Sequence, residues 1–282
     1  MAAPAASAAS PGIAEIRFAS DAGTTRLAHL HQRAPLRVLF PAPEPGDGAI
    51  AVLITTSGGM VAGDRIAISL QSDPGAVALV TTSAAEKIYR STGATTEIVQ
   101  SVSVGAGAWM EYLPQETILF DGARLRRRTT VALAPGAGFL GGGIIVFGRR
   151  ARGERFTQGL LHDELEVRRD GAPWGDALHL DGDIAALIAH PACFDGAAAC
   201  ATLLLAPPDG DPTRFVMSAR AVQPASPAAG WRGGVTAVRG LAVARWLAAD
   251  PLPLRREFAE LACHWRREAA GLPARLPRLW QT

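Results

Sequence analysis

The stretch Ile98–Leu113, IVQSVSVGAGAWMEYL, reads as a strand, a glycine turn and a second strand. Two neighbouring stretches have the same form. Ile66–Leu70 runs into Asp73-Pro74-Gly75-Ala76 and then Val77–Thr82. Thr129–Leu133 runs into Pro135-Gly136-Ala137 and then Phe139 onward. Gly75, Gly105 and Gly136 stand 30 and 31 residues apart, and the Pro-Gly pairs suit type II turns. Repetition at this period predicts stacked β layers that bury one another's faces.

The links between the units carry the chemistry. Glu111–Arg128, EYLPQETILFDGARLRRR, starts as a strand that Pro114 interrupts, since proline has no N–H to give. Ile118, Leu119 and Phe120 resume it, and Asp121-Gly122 turns it. Arg124, Arg126, Arg127 and Arg128 then follow within five residues, in a chain that is only 19% charged. Thr81–Thr92, TTSAAEKIYRST, interleaves Glu86, Lys87, Tyr89 and Arg90, as a loop with local ion pairs or as a cavity-lining edge. Thr55–Arg65, TTSGGMVAGDR, is a glycine-rich loop, with Asp64 either capping a turn or offering a carboxylate. It is not a phosphate loop, because no Gly-Lys-Ser/Thr follows and the next element is a strand. Gly136–Gly141 matches GxGxxG, but Ile144–Phe147 continues it as a strand. The helix that a dinucleotide needs is therefore missing.

Further along, Phe156–Arg169 and Pro173–Leu180 read as a strand pair hinged on Asp170-Gly171. Leu161, Asp163, Leu165 and Val167 share one face, His162, Glu164 and Glu166 the other, with Asp176 and His179 on the return strand. Such carboxylates and histidines can hold a divalent cation, or simply make a hydrated face. His29 and His31 pose the same choice nearer the N-terminus. Ile184–His190 predicts a short helix and Leu254–Ala269 a longer one, with Phe258, Leu261 and Trp265 at helical spacing. Ala197–Ala206 and Arg214–Ala219 fit either strand or helix. Gln223–Gly234 reads as a loop and Val235–Leu247 as one strand.

At 282 residues and 48% hydrophobic, the chain can bury a sizeable core. A net charge of +2 argues against a general nucleic-acid binder. Three cysteines without a CxxC pair, and an N-terminus without basic or apolar signal regions, suggest a cytoplasmic protein. No apolar run reaches the roughly 20 residues of a membrane helix. Residues 1–22 read as a disordered or loosely ordered tail that holds one short candidate strand, Ile13–Phe18, and 23–282 as one β-rich domain. Neither GxSxG nor HExxH occurs. The residues alone leave a β scaffold with charged, partner-competent edges. An enzyme holding an anionic substrate on the Arg124–Arg128 cluster is the alternative.

TTSGGMVAGDR, TTSAAEKIYRS, EYLPQETILFDGARLRRR, VFGRRARGE and the terminal LPRLW resemble, in this order and spacing, the urease accessory protein family UreD, also called UreH. The resemblance runs from about Gly23 to the end. It implies a mainly β fold, layered in a β-helix-like solenoid with about two helices near the C-terminus. It further implies a non-catalytic chaperone that binds apo-urease and, with UreF and the GTPase UreG, helps insert nickel. No tightly bound cofactor is implied, only Ni²⁺ in transit through an internal polar tunnel. The acids at matching positions are Asp64, Glu86 and Asp176. The resemblance also implies a partner surface that includes Arg124, Arg126, Arg127 and Arg128. Relatives often carry an acid where this chain has Gly143.

Overall fold

The computed structural model describes residues 11–169, 173–223 and 230–281. The chain opens with a hairpin, β1 (Gly12–Asp21) and β2 (Thr24–Arg33), followed by β3 (Leu36–Leu39) and β4 (Ala49–Thr55). Three coils follow: β5 (Arg65–Ser72), β6 (Val77–Thr82) and β7 (Glu86–Ile88); β8 (Thr96–Val104), β9 (Trp109–Leu113) and β10 (Thr117–Leu119); then β11 (Arg124–Leu133) and β12 (Gly138–Phe147). Next come β13 (Leu160–Arg169), β14 (Trp174–Leu180), α1 (Ile184–Ala189), β15 (Ala199–Ala206), α2 (Thr213–Val222), β16 (Trp231–Val238), β17 (Leu241–Ala248) and α3 (Pro251–Ala270).

Each coil places one strand in each of two facing sheets. The first sheet runs β14-β13-β11-β8-β5-β1-β2 and the second β16-β17-β15-β12-β9-β6-β4-β3. Within the coils the neighbours are parallel, β5 on β8 on β11 in one sheet and β6 on β9 on β12 in the other. Parallel strands need a long crossover, and here each crossover is itself a strand of the opposite sheet. A narrow third ladder closes one side: β7 and the end of β12 both pair with β10, so Glu86, Thr117 and Ile145 share a rung. The arrangement is a β-solenoid.

The glycine turns hold the coils in step. Ala76, Ala108 and Ala137 donate N–H to Asp73, Gly105 and Ala134 carbonyls at 3.1, 3.0 and 3.0 Å. The third position of each turn is left-handed: Gly75 at φ +71°, Gly107 at +63°, Gly136 at +70°. The equivalent glycine of the middle unit is therefore Gly107 and not Gly105. Only glycine adopts that φ without strain. Gly105 is required for a different reason. A Cβ there would lie 2.7 Å from the Pro74 nitrogen and 2.8 Å from the Ser72 oxygen, both backbone atoms of the turn below.

Two cores result. One lies between the sheets and takes Ile98, Val102, Val131, Met110 and Tyr112. The other lies between the second sheet and the helices and takes Trp109, Leu113, Leu140, Phe258, Leu261 and Trp265. β9 is buried on both faces. Fully burying each large side chain of α3 contributes about 1.5–3 kcal/mol. The C-terminal LPRLW segment completes this core, with the Trp280 ring stacked on Phe258 at 5.6 Å.

Several expectations are corrected. Residues 12–21 lie in the part assigned to a loose tail, but the candidate strand Ile13–Phe18 within it is the middle of β1, which pairs with both β2 and β5; residues 1–10 lie outside the described chain. Val235–Leu247 is a hairpin turned at Arg239-Gly240, and β16 already begins at Trp231, inside the expected loop. Asp170-Gly171 and residues 224–229 lie outside the described residues. β13 starts at Leu160, and Arg214–Ala219 belongs to α2. As expected, the GxGxxG run Gly136–Gly141 leads from a turn into strand β12 and not into a helix.

Gly107→Ala should cost about 1–2 kcal/mol by forcing a left-handed alanine. Gly105→Ala should cost more, because its obstruction is backbone. Chemical denaturation of both variants checks the order, and the reverse ranking would contradict the stacked turns.

Candidate functional site

Strand alternation sorts the arginine cluster. Leu125, Arg127, Thr129 and Val131 of β11 face the second sheet, whereas Arg126 and Arg128 face outward. Arg124, Arg126 and Arg127 therefore do not converge on one anion. Arg128 meets Glu164 at 3.5 Å, largely in solvent. Arg127 is 10% exposed, and its guanidinium grips Asp163 with both ends, Nε to Oδ1 at 2.8 Å and Nη2 to Oδ2 at 2.6 Å. Register explains the pairing, since Arg127 and Asp163 are direct neighbours on β11 and β13. The remaining nitrogen, Nη1, donates to Thr117 Oγ1 at 2.9 Å on the third ladder.

Around this pair polar groups are set among apolar ones in the space between the sheets. A cavity of about 110 Å³ is bounded by Gln100, Tyr112, Arg127, Asp163, Asp176 and Cys200, among others. Gln100 donates to the Tyr112 hydroxyl at 2.7 Å and accepts from Thr129 at 2.8 Å. Gly143 lies against it, with the nearest atom to a Cβ there being Arg127 Nη2 at 4.0 Å. Burial works against the charge on Arg127, but Asp163 outweighs it, so the guanidinium holds its proton more firmly than usual. Burial, with the nearby Asp163 charge, pushes the Cys200 thiol up to about 12. Cys200 is thus a neutral thiol, neither nucleophile nor ready thiolate ligand.

Glu86 and Asp176 stand on two sides of this interior. Glu86 shares a rung with Thr117 and lies in the field of Arg127. It accepts from Thr55 Oγ1 at 3.4 Å and lines a second cavity, of about 180 Å³, with Thr55, Gly58 and Lys87. Desolvation raises its carboxyl above the usual range, and Arg127 and Thr55 pull it back only in part. Among the described residues it has no salt bridge. Asp176 lies on β14 at an edge, where Arg245 of β17 pairs with it across the sheets at 2.8 Å. Asp64 stands apart. Its carboxylate accepts the Val61 N–H at 2.8 Å and caps its own turn, the other reading given to that loop.

His29 faces Glu15 at 3.4 Å on an exposed strand. Asp176 and His179 are three residues apart and face opposite sides of β14. Among the described residues, no three His, Cys, Asp or Glu side chains converge as a metal cage, and no helix is long and apolar enough to cross a membrane.

Sequence reasoning missed Thr117, Tyr112, Gln100 and the role of Asp163. Asp163 on an otherwise apolar strand face was the available signal, as was Arg127 between Leu125 and Val131. It also missed Glu111, buried beneath α3. Its Oε1 accepts from Trp109 at 2.9 Å and from Arg266 Nε at 3.1 Å, and Arg266 continues to Asp47 at 3.3 Å.

Comparison with known proteins agrees with the resemblance. The family model described as UreD urease accessory protein matches residues 10–281. The chain is similar to the urease accessory protein UreD of Magnetococcus marinus, 43% identical over 95% of this chain and 93% of that protein. A Methylobacterium protein of the same description is 42% identical, over 92% and 90% of the two chains. One from Rhodopseudomonas palustris is 40% identical, over 97% and 92%.

Asp163→Ala leaves the Arg127 charge buried and unpaired, which should cost about 3–5 kcal/mol in a denaturant titration. A loss below about 1 kcal/mol would show the pair to be solvated. Glu86 titrates with a distinct sign. A carboxyl whose folded value is raised contributes stability fully below its ordinary value of 4.5 and loses it as pH rises past its folded value. Glu86→Gln should therefore gain on the unmodified chain as pH is raised from about 4 to 8. Parallel denaturation curves at the two pH values check it, and an unchanged difference would contradict the burial.

Proposed function

Since the chain belongs to the UreD family of urease accessory proteins, and so has a role in urease maturation, we propose that it is a chaperone that passes Ni²⁺ through its polar interior. Its partners on this reading are apo-urease, UreF and the GTPase UreG, in the cytoplasm, and it has no catalytic role. The observation that supports the reading best is Glu86. This carboxylate faces the space between the sheets and has no salt bridge among the described residues.

The chemistry suits hand-on rather than storage. A divalent ion cannot cross an apolar core without oxygen or nitrogen donors. The Glu86 carboxylate, the Gln100 amide, the Tyr112 hydroxyl and Asp176 supply such donors, while Arg127 and Asp163 neutralise one another. Neutral Cys200 offers no thiolate to trap the ion. Burial raises the affinity of Glu86 for a proton, so protons compete with nickel there, which weakens binding and favours release. The route runs between Glu86 and Asp176. Asp64, held in its own turn, serves as a control. Arg126 and Arg128, with Arg124 beside them on the outer face, form the proposed partner surface.

Co-expression with urease, UreF and UreG tests both parts. Glu86→Ala and Asp176→Ala should lower the nickel content of purified urease severalfold, and the double variant should lower it further, with UreF still co-purifying. Asp64→Ala should leave nickel near normal. Arg126→Glu with Arg128→Glu should reduce co-purifying UreF. Full nickel content in the Glu86/Asp176 double variant would discard the route.

A further inference from the structure

The outward face of the β13–β14 hairpin carries a constellation that the interior route does not use. His162 and His179 stand directly opposite one another on the two strands. Their Nδ1 atoms approach to 3.0 Å, with the rings 5.2 Å apart and inclined at 71°. Asp163, Leu165, Asp176 and Leu178 line the interior cavity, so alternation turns both imidazoles to the other side of the sheet. The second nitrogen of His162, Nε2, lies 2.6 Å from Glu164 Oε1. Glu164 is held in turn by Arg128 at 3.5 Å.

We infer that His162 and His179 form a surface chelate for a divalent transition-metal ion, with Glu164 as the carboxylate that orients His162. The hydrogen bonding fixes the tautomer. The Glu164 carboxylate accepts from Nε2–H of His162, which leaves Nδ1 of His162 as a lone pair that accepts from His179 Nδ1–H in the metal-free chain. On metal binding that His179 proton moves to its Nε2 or to solvent, freeing both Nδ1 lone pairs. Carboxylate, imidazole and metal in series is the arrangement that orients metal-binding histidines and raises their basicity.

The two nitrogens are near enough for one ion to bridge them after a small side-chain adjustment. Copper(II) and nickel(II) are divalent ions that accept imidazole. Water fills the other positions, so the ion exchanges readily. Arg126, the register neighbour of His162 on β11, weakens the site by its charge, since Glu164 and Glu166 are already engaged by Arg128 and Arg168.

The site is separate from the interior, and its test does not depend on nickel reaching urease. The full-length chain is titrated with NiCl₂, and in parallel with CuCl₂, while modification of each histidine by diethylpyrocarbonate is mapped by mass spectrometry. Both ions should protect His162 and His179 together. In His179→Ala the protection of His162 should be lost at the same metal concentration. Glu164→Gln, which keeps both imidazoles, should shift the protection midpoint upward by about 10–100-fold. Copper bound to the unmodified chain should show two nitrogen couplings in its electron paramagnetic resonance spectrum, and one or none in His179→Ala. Unprotected histidines at millimolar metal, or protection of His162 that survives His179→Ala, would overturn the inference.

Discussion

A guanidinium held between two β-sheets organises the interior of this protein. Arg127 sits where a packed solenoid would put a Leu or Val, and its charge cannot stay there alone. Asp163 neutralises it from the neighbouring strand, and Thr117 takes its third direction from the narrow third ladder. Once those groups are in place, an apolar filling around them is ruled out. Gln100, Tyr112 and Thr129 join by hydrogen bonds, and a small cavity with these polar groups on its wall persists between the sheets. The stacked glycine turns keep β5, β8 and β11 in step, and the parallel pairing of β13 on β11 sets Asp163 beside Arg127.

A second buried charge system serves the other core. Glu111 of β9 and Arg266 of α3 join the middle of the chain to its last helix, and Asp47 extends the network to the loop before β4. Burial raises the Glu111 carboxyl despite Arg266, which shows how much desolvation that contact must overcome. The two systems lie on opposite faces of the second sheet. β9 contributes to both, Tyr112 to the inter-sheet interior and Glu111 to the helix side. The three-layer build thus rests on a five-residue strand buried on both faces.

Much of this architecture was legible in the sequence. The strand–turn–strand units and the long helix announced themselves through turn chemistry and period. The interior was not legible from the same signals. In Arg124–Arg128 a run of like charges looks like one surface, and only alternation along β11 separates the inward Arg127 from Arg126 and Arg128. The shift from Gly105 to Gly107 as the left-handed residue shows a similar limit. Two glycines in one turn serve different needs, one for φ and one for clearance. The strand at Ile13–Phe18 was legible but its place in the sheet was not, because its partner β5 lies some 50 residues away, and local sequence does not show which distant strand will cover an edge. Glu86 and Asp176 were reached through family resemblance; that one faces the interior and the other closes an edge with Arg245 required the fold.

On the proposed reading, the protein keeps an uncancelled carboxylate in a polar space whose other charges are paired, so that a cation finds donors there but no cage. Locating bound nickel within the molecule tests this most directly. Crystals of the chain with its partner, soaked in NiCl₂ and measured at the nickel absorption edge, should show anomalous density between the two sheets next to Glu86. Anomalous density confined to the outer surfaces, with the space around Glu86 empty of metal, would contradict it.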